Sequence, residues 1–150
     1  MALNTTFTSG QILTAAQMNN LPWGLAGSSI LVNDKAYTTI EDSGLTVTWT
    51  ADSTRLYKLS FYGVVDQTVA ALVQYYITNS ANTALTEITT TTKTSSEIFT
   101  LSAFGLVTGL SGSVTYKVRM ETNAGTGTLF GGNTRVALAA RLLVEDIGPA

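Results

Sequence analysis

The sequence predicts an all-β protein made of antiparallel strands, with one short helix near its start. Three observations support this prediction. From residue 28 onwards apolar and polar residues alternate, the segments are rich in Val, Ile, Thr, Tyr and Phe, and turn residues separate them. The strand-like segments recur roughly every 8–12 residues, which favours a sandwich or barrel over a parallel α/β sheet.

Nine strands are predicted from this pattern. They lie at residues 28–33, 36–41, 45–50, 55–65, 69–79, 87–92, 97–107, 113–122 and 136–145. The longest predicted core face belongs to the last strand and consists of Val136, Leu138, Ala140, Leu142 and Val144. Its opposite face carries Ala137, Ala139, Arg141 and Leu143. Because that face is mostly small or apolar, we expect an oligomer interface or another part of the same chain to cover it, and Arg141 and Leu143 are interface candidates.

Residues 12–24, ILTAAQMNNLPWG, differ from the rest of the chain because they predict a helix. Thr14 and Gln17 have the spacing of a capping box at a helix start. Pro22 ends the helix, because the residue before a proline avoids the helical conformation. The glycines and serines of residues 24–29 then predict a hinge.

The domain organisation follows from this change of pattern. We predict an N-terminal attachment arm over residues 1–27, which includes the short helix, and a sandwich domain over residues 28–150. The apolar residues of the arm are too few to form a core of their own. Those that we expect to contact another surface are Leu13, Met18, Leu21 and Trp23.

The charge content predicts a protein that assembles. Charged residues make up 12% of the chain, against ~25% in average soluble domains, and the net charge is −2. Little charge repulsion keeps such molecules apart, which suits assembly with other copies or partners. An ordinary monomer with a hydroxyl-rich surface is the alternative. With 8 Lys and Arg residues and no basic tract, the chain does not fit nucleic-acid binding.

The absence of Cys and His removes most catalytic and metal-binding chemistry. Thiol nucleophiles, disulfides, the usual zinc sites and Ser-His-Asp triads all need one of these residues. Glu41 and Asp42 are an adjacent pair that could act as acid and base or bind a hard cation, but turn carboxylates are usually just solvated. We therefore expect no enzyme, cofactor or metal. No stretch approaches the ~18 apolar residues of a membrane span, and no signal peptide is evident.

Two segments of biased composition have ordinary structural interpretations. The threonine-rich residues 86–97, TEITTTTKTSSE, are typical of a solvated edge strand or loop. The glycine-rich residues 123–133, NAGTGTLFGGN, lack the spacing of a phosphate-binding loop, and no helix follows them. A flexible loop or a short hairpin is expected there.

Aromatic residues offer a second kind of candidate site. Trp49, Tyr75 and Tyr76 could stack against sugar rings on a glycan-binding surface, although at strand spacing such residues more often belong to a core or an interface. Tyr75 and Tyr76 are adjacent, so in a strand they point to opposite faces. At least one of them is therefore expected to face away from the main core.

Residues 7–24, FTSGQILTAAQMNNLPWG, resemble a segment common at the N-terminus of tailed-phage structural proteins, with the shared pattern F-T-x-G-x-x-L-T-A-A-x-M-N. The final RLLVEDIGP, residues 141–149, is similar to the closing strand of those proteins. The middle WTADSTRLYKLSFYGVV resembles the start of a jelly-roll strand in trimeric phage domains of the tumour-necrosis-factor or C1q type.

The resemblance implies a non-enzymatic virion component, assembled in the host cytoplasm, whose N-terminal segment attaches to the particle and whose jelly-roll sandwich projects from it. A homotrimer in the tail or fibre apparatus, in contact with other virion proteins, is the leading expectation. A head decoration protein that stabilises the capsid is the alternative, because 150 residues leave no room for a fibrous shaft. A module that binds a host surface glycan is a further alternative. No nucleic acid and no membrane insertion are expected.

Overall fold

The structure is a computed structural model that describes residues 21–92, 96–133 and 136–150. These residues form ten strands and one 3₁₀ turn. The strands are β1 (Gly24–Ile30), β2 (Lys35–Tyr37), β3 (Glu41–Ala51), β4 (Arg55–Gln67), β5 (Leu72–Asn79), β6 (Ala84–Thr91), β7 (Glu97–Val107), β8 (Gly112–Thr122), β9 (Gly127–Leu129) and β10 (Arg141–Pro149), and the 3₁₀ turn is Val136–Leu138. Residues 12–20 of the predicted helical segment, with Leu13 and Met18, lie outside the described residues.

The strands form two antiparallel sheets that pack face to face as a sandwich of the jelly-roll type. Sheet A places β1, β10 and β4 side by side, with β7 on the other flank of β4. The short strand β9 continues the sheet along the end of β4 and pairs in turn with β2. Sheet B has the order β3-β8-β5-β6. The predicted fold class, an all-β antiparallel sandwich, is confirmed.

Strict alternation along the strands explains how the core forms. In β3, Leu45, Val47 and Trp49 are buried, while the threonines between them face solvent. The same alternation in β4, β5, β8 and β10 directs a second set of side chains to the space between the sheets. That set includes Tyr57, Leu59, Phe61, Val73, Tyr75, Ile77, Val118, Met120, Leu142 and Val144.

Two buried tyrosines join the sheets near the middle of this core. The Tyr75 hydroxyl donates a hydrogen bond of 2.7 Å to the Tyr37 hydroxyl, and the two rings meet edge to face. The ring of Phe61 stacks on the other side of Tyr75 with centroids 5.6 Å apart. Burial raises the pKa of Tyr37 to about 12 and the pKa of Tyr75 well above its ordinary value.

This tyrosine pair predicts a loss of stability in alkaline solution. The unfolded chain ionises tyrosine near pH 10.0, whereas folded Tyr37 ionises only near pH 12. The unfolded state therefore releases protons first, and the free energy of unfolding should fall as the pH rises from about 10 to 12. Urea denaturation between pH 7 and 11.5 measures this. Tyr37→Phe should flatten the decline, and an equal decline in that variant would contradict the assignment.

The expected hinge at residues 24–29 is wrong, because these residues belong to strand β1. Gly24 to Ile30 pairs with β10 from Asp146 back to Arg141. The glycines serve close packing here, since a Cβ on Gly27 would lie 2.7 Å from Cγ1 of Val47 in the opposite sheet. Among the described residues, the first strand of the sandwich starts at Gly24, four residues before residue 28.

The last predicted strand begins five residues too early. Residues 136–138 form the 3₁₀ turn, and β10 starts at Arg141. The backbone of Ala140 is held by Phe130 and by Leu31, through hydrogen bonds of 3.0 and 2.9 Å, so the chain reaches the sheet only there. Ala140, Leu142 and Val144 are buried as predicted, but Ala139 is buried as well, so its assignment to the opposite face is wrong because it precedes the strand.

The two segments of biased composition also have defined places. Residues 86–91 of the threonine-rich run lie on β6, an edge strand of sheet B, and for these residues the prediction is confirmed. The glycine-rich residues 123–133 contain strand β9, which replaces the expected flexible loop. Gly127 is required in that strand because a Cβ would overlap the buried ring of Tyr37.

Candidate assembly surface

The outward side of sheet B is polar. Thr46, Thr48 and Thr50 alternate along β3, and the hydroxyls of Thr48 and Thr115 are 2.8 Å apart. Asp42 accepts hydrogen bonds of 2.7 Å from Lys117 and 3.0 Å from Arg119. The Lys117 hydrogen bond is the main cause that lowers the pKa of Asp42 below its ordinary value. This arrangement of hydroxyls and paired charges is typical of a surface in contact with water.

The outward side of sheet A groups exposed apolar side chains together with serines and charged residues. The strand register places Leu25 and Ile30 of β1, Leu143 of β10, Tyr62 of β4 and Phe104 of β7 on this one face. Phe104 is 62% exposed, Leu25 64% and Ile30 54%. Apolar side chains grouped on one face and left in water mark an interaction surface more often than scattered ones do.

A groove of about 620 Å³ runs across this face between β10, β4 and β7. Its outward-facing lining consists of Lys58, Ser60, Tyr62, Ser102, Phe104, Ala137, Arg141 and Leu143. The two interface candidates of the last strand, Arg141 and Leu143, thus lie together in the groove. Sequence reasoning missed Tyr62 and Phe104, because their meeting depends on the pairing of β4 with β7.

The groove carries a small excess of positive charge. The Lys58 ammonium lies 3.7 Å from the Glu145 carboxylate and 5.7 Å from the centre of the Phe104 ring. Arg141 is exposed and forms no ion pair with any residue that the structure describes. The Ser60 hydroxyl is buried without a hydrogen-bond partner among the described residues. The exposed Arg141 guanidinium is therefore available in the groove for an acceptor on another molecule.

Leu21 and Trp23 are held at one end of the sandwich by a buried ion pair. Arg55 donates through Nε to Asp146 at 2.8 Å and through Nη2 at 2.5 Å. The same Nη2 donates to the Leu21 carbonyl at 2.6 Å, and the guanidinium lies 4.2 Å from the centre of the Trp23 ring. The side chains of Arg55 and Asp146 are only 3% and 2% exposed.

The ion pair fixes where the chain enters the sandwich. It joins the residues just before β1 to the start of β4 and the end of β10. The backbone N–H of Gly148 completes the site by donating to Asp146 at 3.0 Å. Sequence reasoning missed Arg55 and Asp146, because no local pattern links residues so far apart in the chain.

The aromatic candidates do not form a binding surface. Trp49 and Tyr75 are buried in the core, where Trp49 packs against Tyr57 and Tyr116 with ring centroids 5.6 and 5.7 Å apart. Their assignment as surface aromatics is wrong, because strand alternation turns both inward. Tyr76 faces outward on sheet B, as its adjacency to Tyr75 predicted, and its hydroxyl donates to Glu121 at 3.1 Å. Burial and then this carboxylate raise the pKa of Tyr76 to about 12.

The carboxylates of the pair Glu41 and Asp42 point to different partners. The Glu41 carboxylate lies 3.1 Å from the Lys35 ammonium, while the Asp42 carboxylate pairs with Lys117 and Arg119. Within residues 21–92, 96–133 and 136–150, no three His, Cys, Asp or Glu side chains are grouped closely enough to hold a metal ion. Over the same ranges, no helix is long and apolar enough to cross a membrane.

Comparison with known proteins relates the chain to others through its fold. No family model and no curated protein sequence matches it. The infectious bursal disease virus particle is similar at 12% identity and a TM-score of 0.41, over 87% of this chain and 37% of the viral chain. A CBM4 structure gives 13% identity and a TM-score of 0.41, over 85% and 81% of the two chains. Tailspike protein 4 of bacteriophage CBA120 gives 8% identity and a TM-score of 0.32, over 80% and 19%.

At these identities and TM-scores the matches are similarities only, and the fold rests on the strands and sheets described above. The chain spans only 37% of the viral chain and 19% of the tailspike chain. A viral particle protein and a family 6 carbohydrate-binding module are both among the similar structures.

Proposed function

We propose that this chain is a non-enzymatic structural protein of a phage virion, which assembles as a homotrimer in the tail or fibre apparatus and attaches through its N-terminal segment. The observation that supports this most directly is the contrast between the two outward faces. Sheet B presents threonines and paired charges, whereas sheet A presents Leu25, Ile30, Phe104 and the groove.

This contrast favours a role in assembly. Apolar surface in contact with water is unfavourable by ~25 cal/mol per Å². Covering a concentrated group of apolar side chains with another protein therefore lowers the free energy. The low net charge of −2 adds little repulsion between copies. The terminal segments that resemble phage structural proteins point to the virion as the place where this assembly occurs.

Light scattering coupled to size-exclusion chromatography tests the trimer. The expected mass is three times the 15.8 kDa of one chain. A monodisperse monomer at micromolar concentration would contradict the proposal. Labelling the protein on intact particles then tests its place: label confined to the tail is the expected result, and label spread over the shell would instead indicate head decoration.

Removing residues 1–20 is expected to abolish incorporation into particles while leaving the sandwich folded. The truncated chain keeps Leu21, Trp23 and the whole of β1, so every described contact of Arg55 with the chain before β1 is retained. Circular dichroism with thermal unfolding measures the fold, and immunoblotting of purified particles measures incorporation. A truncated chain that cannot fold would show that these residues belong to the core, and normal incorporation would show that they are not the attachment segment.

Trp23→Ala in the full chain is expected to have a milder effect of the same kind. The change removes the ring that stacks on Arg55 but leaves the Leu21 carbonyl in place. We expect particles to contain less of this variant than of the parent chain, with the sandwich still folded. Unchanged incorporation would show that Trp23 does not contribute to attachment.

A further inference from the structure

We propose that strand β1 of one copy packs into the groove on sheet A of a second copy. This inference rests on the proposed self-association and specifies which surfaces meet. The occupant is the exposed side of β1, with Leu25 and Ile30 at its outward face. The receiving surface is the groove lined by Tyr62, Phe104 and Leu143.

The groove needs a projecting partner. Protein interfaces that form stable assemblies are packed about as densely as protein interiors, so a hollow of about 620 Å³ has to be filled. Two grooves placed against each other would leave both hollows empty. They would also bring Arg141 of one copy, which forms no ion pair within the described part of the chain, towards the same residue of the next, and this repulsion disfavours that arrangement.

Strand β1 has the shape and composition to fill it. It is the edge strand of sheet A, and among the described residues it pairs only with β10. Edge strands usually carry charges that prevent pairing with other chains, yet the first 33 residues of this chain contain no Asp, Glu, Lys or Arg. Leu25 and Ile30 therefore project from an edge that carries no charge.

The polar groups of the two surfaces are also complementary. The free side of an edge strand presents backbone N–H and C=O groups that lack strand partners. Arg141 lies in the groove with five N–H donors and no ion pair among the described residues. When β1 of another copy enters the groove, its carbonyls are suitable acceptors for this guanidinium. Apolar contact and hydrogen bonding thus favour the same arrangement.

Two substitutions in the full chain test this arrangement. Leu25→Lys places a cation on β1 opposite Glu145, and Phe104→Glu places a carboxylate in the groove near Lys58, so each new charge has an opposite charge beside it within its own chain. Both side chains are mostly exposed, so the fold should tolerate the changes. We expect each variant alone to be a monomer at concentrations where the parent chain assembles. The dissociation constant of its assembly should be at least ~100-fold higher than that of the parent chain, which sedimentation or light scattering measures.

Mixing the two variants gives the sharpest result. In the mixture, β1 of the Phe104→Glu chain is unaltered and can enter the unaltered groove of the Leu25→Lys chain. In the reverse contact, the new lysine on β1 of one chain meets the new glutamate in the groove of the other. A ring of three chains always contains one contact between two chains of the same variant, so we expect mixed dimers and weaker mixed trimers to return. A mixture that stays monomeric, or a Leu25→Lys chain that still assembles, would overturn the inference.

A control variant and the parent chain distinguish failure of this inference from failure of the proposed homotrimer. Thr46→Glu adds a charge to the outward face of sheet B, and assembly should not change. If the parent chain assembles and Leu25→Lys does too, only the β1 and groove arrangement fails. If the parent chain is itself a monomer, the proposed homotrimer fails as well.

Discussion

Replacing Arg55 with Ala is expected to lower the free energy of unfolding by about 3–5 kcal/mol. The substitution leaves the Asp146 carboxylate, which is 2% exposed, without the two hydrogen bonds that Arg55 donates. It also removes the donor to the Leu21 carbonyl and the cation beneath Trp23. Urea denaturation at neutral pH, monitored by tryptophan fluorescence and by circular dichroism, measures the change.

Arg119→Ala is the matched control for this experiment. Arg119 also donates to a carboxylate, that of Asp42, but Asp42 is 52% exposed and keeps its hydrogen bond to Lys117. Exposed pairs of this kind contribute about 0–1 kcal/mol. Equal losses in the two variants would contradict the view that burial makes the Arg55 pair important. Replacing both partners, as Arg55→Met with Asp146→Leu, should recover much of the loss because no buried charge is then left unpaired.

Gly131→Ala is expected to lower the free energy of unfolding by about 1–3 kcal/mol, as overpacking does elsewhere. A Cβ at this position would overlap the backbone carbonyl of Asn33 and lie 2.8 Å from its Cα. The backbone cannot easily yield, because the Gly131 N–H donates to Asp34 at 2.7 Å and Asn133 holds the Asp34 N–H at 2.9 Å. Thermal and urea denaturation of the variant measure the effect.

Its neighbour supplies the control. A Cβ on Gly132 would meet nothing closer than 3.6 Å, which is ordinary contact. Gly132→Ala should therefore change stability little, or raise it slightly by restricting the unfolded chain. If the two alanine variants lose equal stability, the close approach to Asn33 is not the cause.

Much of the fold follows from the sequence because strand alternation is a local property. Apolar side chains at every second position of a strand all face the core. This pattern predicts burial for Tyr57, Leu59 and Phe61 in one strand and for Leu142 and Val144 in another, and all five are buried. The edges of the elements were less predictable. Residues 24–29 contain glycines and serines that suggest a hinge, and only the distant strand β10 makes them a strand by supplying hydrogen bonds.

The candidate site was predictable only in part, for the same reason. Arg141 and Leu143 could be assigned to an outward face because they lie on one strand whose inward face is clear. Tyr62 and Phe104 join them through the register of β4 with β10 and β7, which no single segment encodes. Arg55 and Asp146 are 91 residues apart, so their contact depends on the folded chain.

The antiparallel pairing of β1 with β10 distinguishes the two ends of the sandwich. Gly24 lies opposite Asp146 at one end, whereas Ile30 lies opposite Arg141 towards the other end. Leu21 and Trp23, which contact Arg55, and Ala150, which bonds to Thr54, therefore lie on the same side of the sandwich. A fluorescent protein or affinity tag fused after Pro149 would lie on the same side as Leu21 and Trp23, whereas the turn between β1 and β2 offers a remote position for a label.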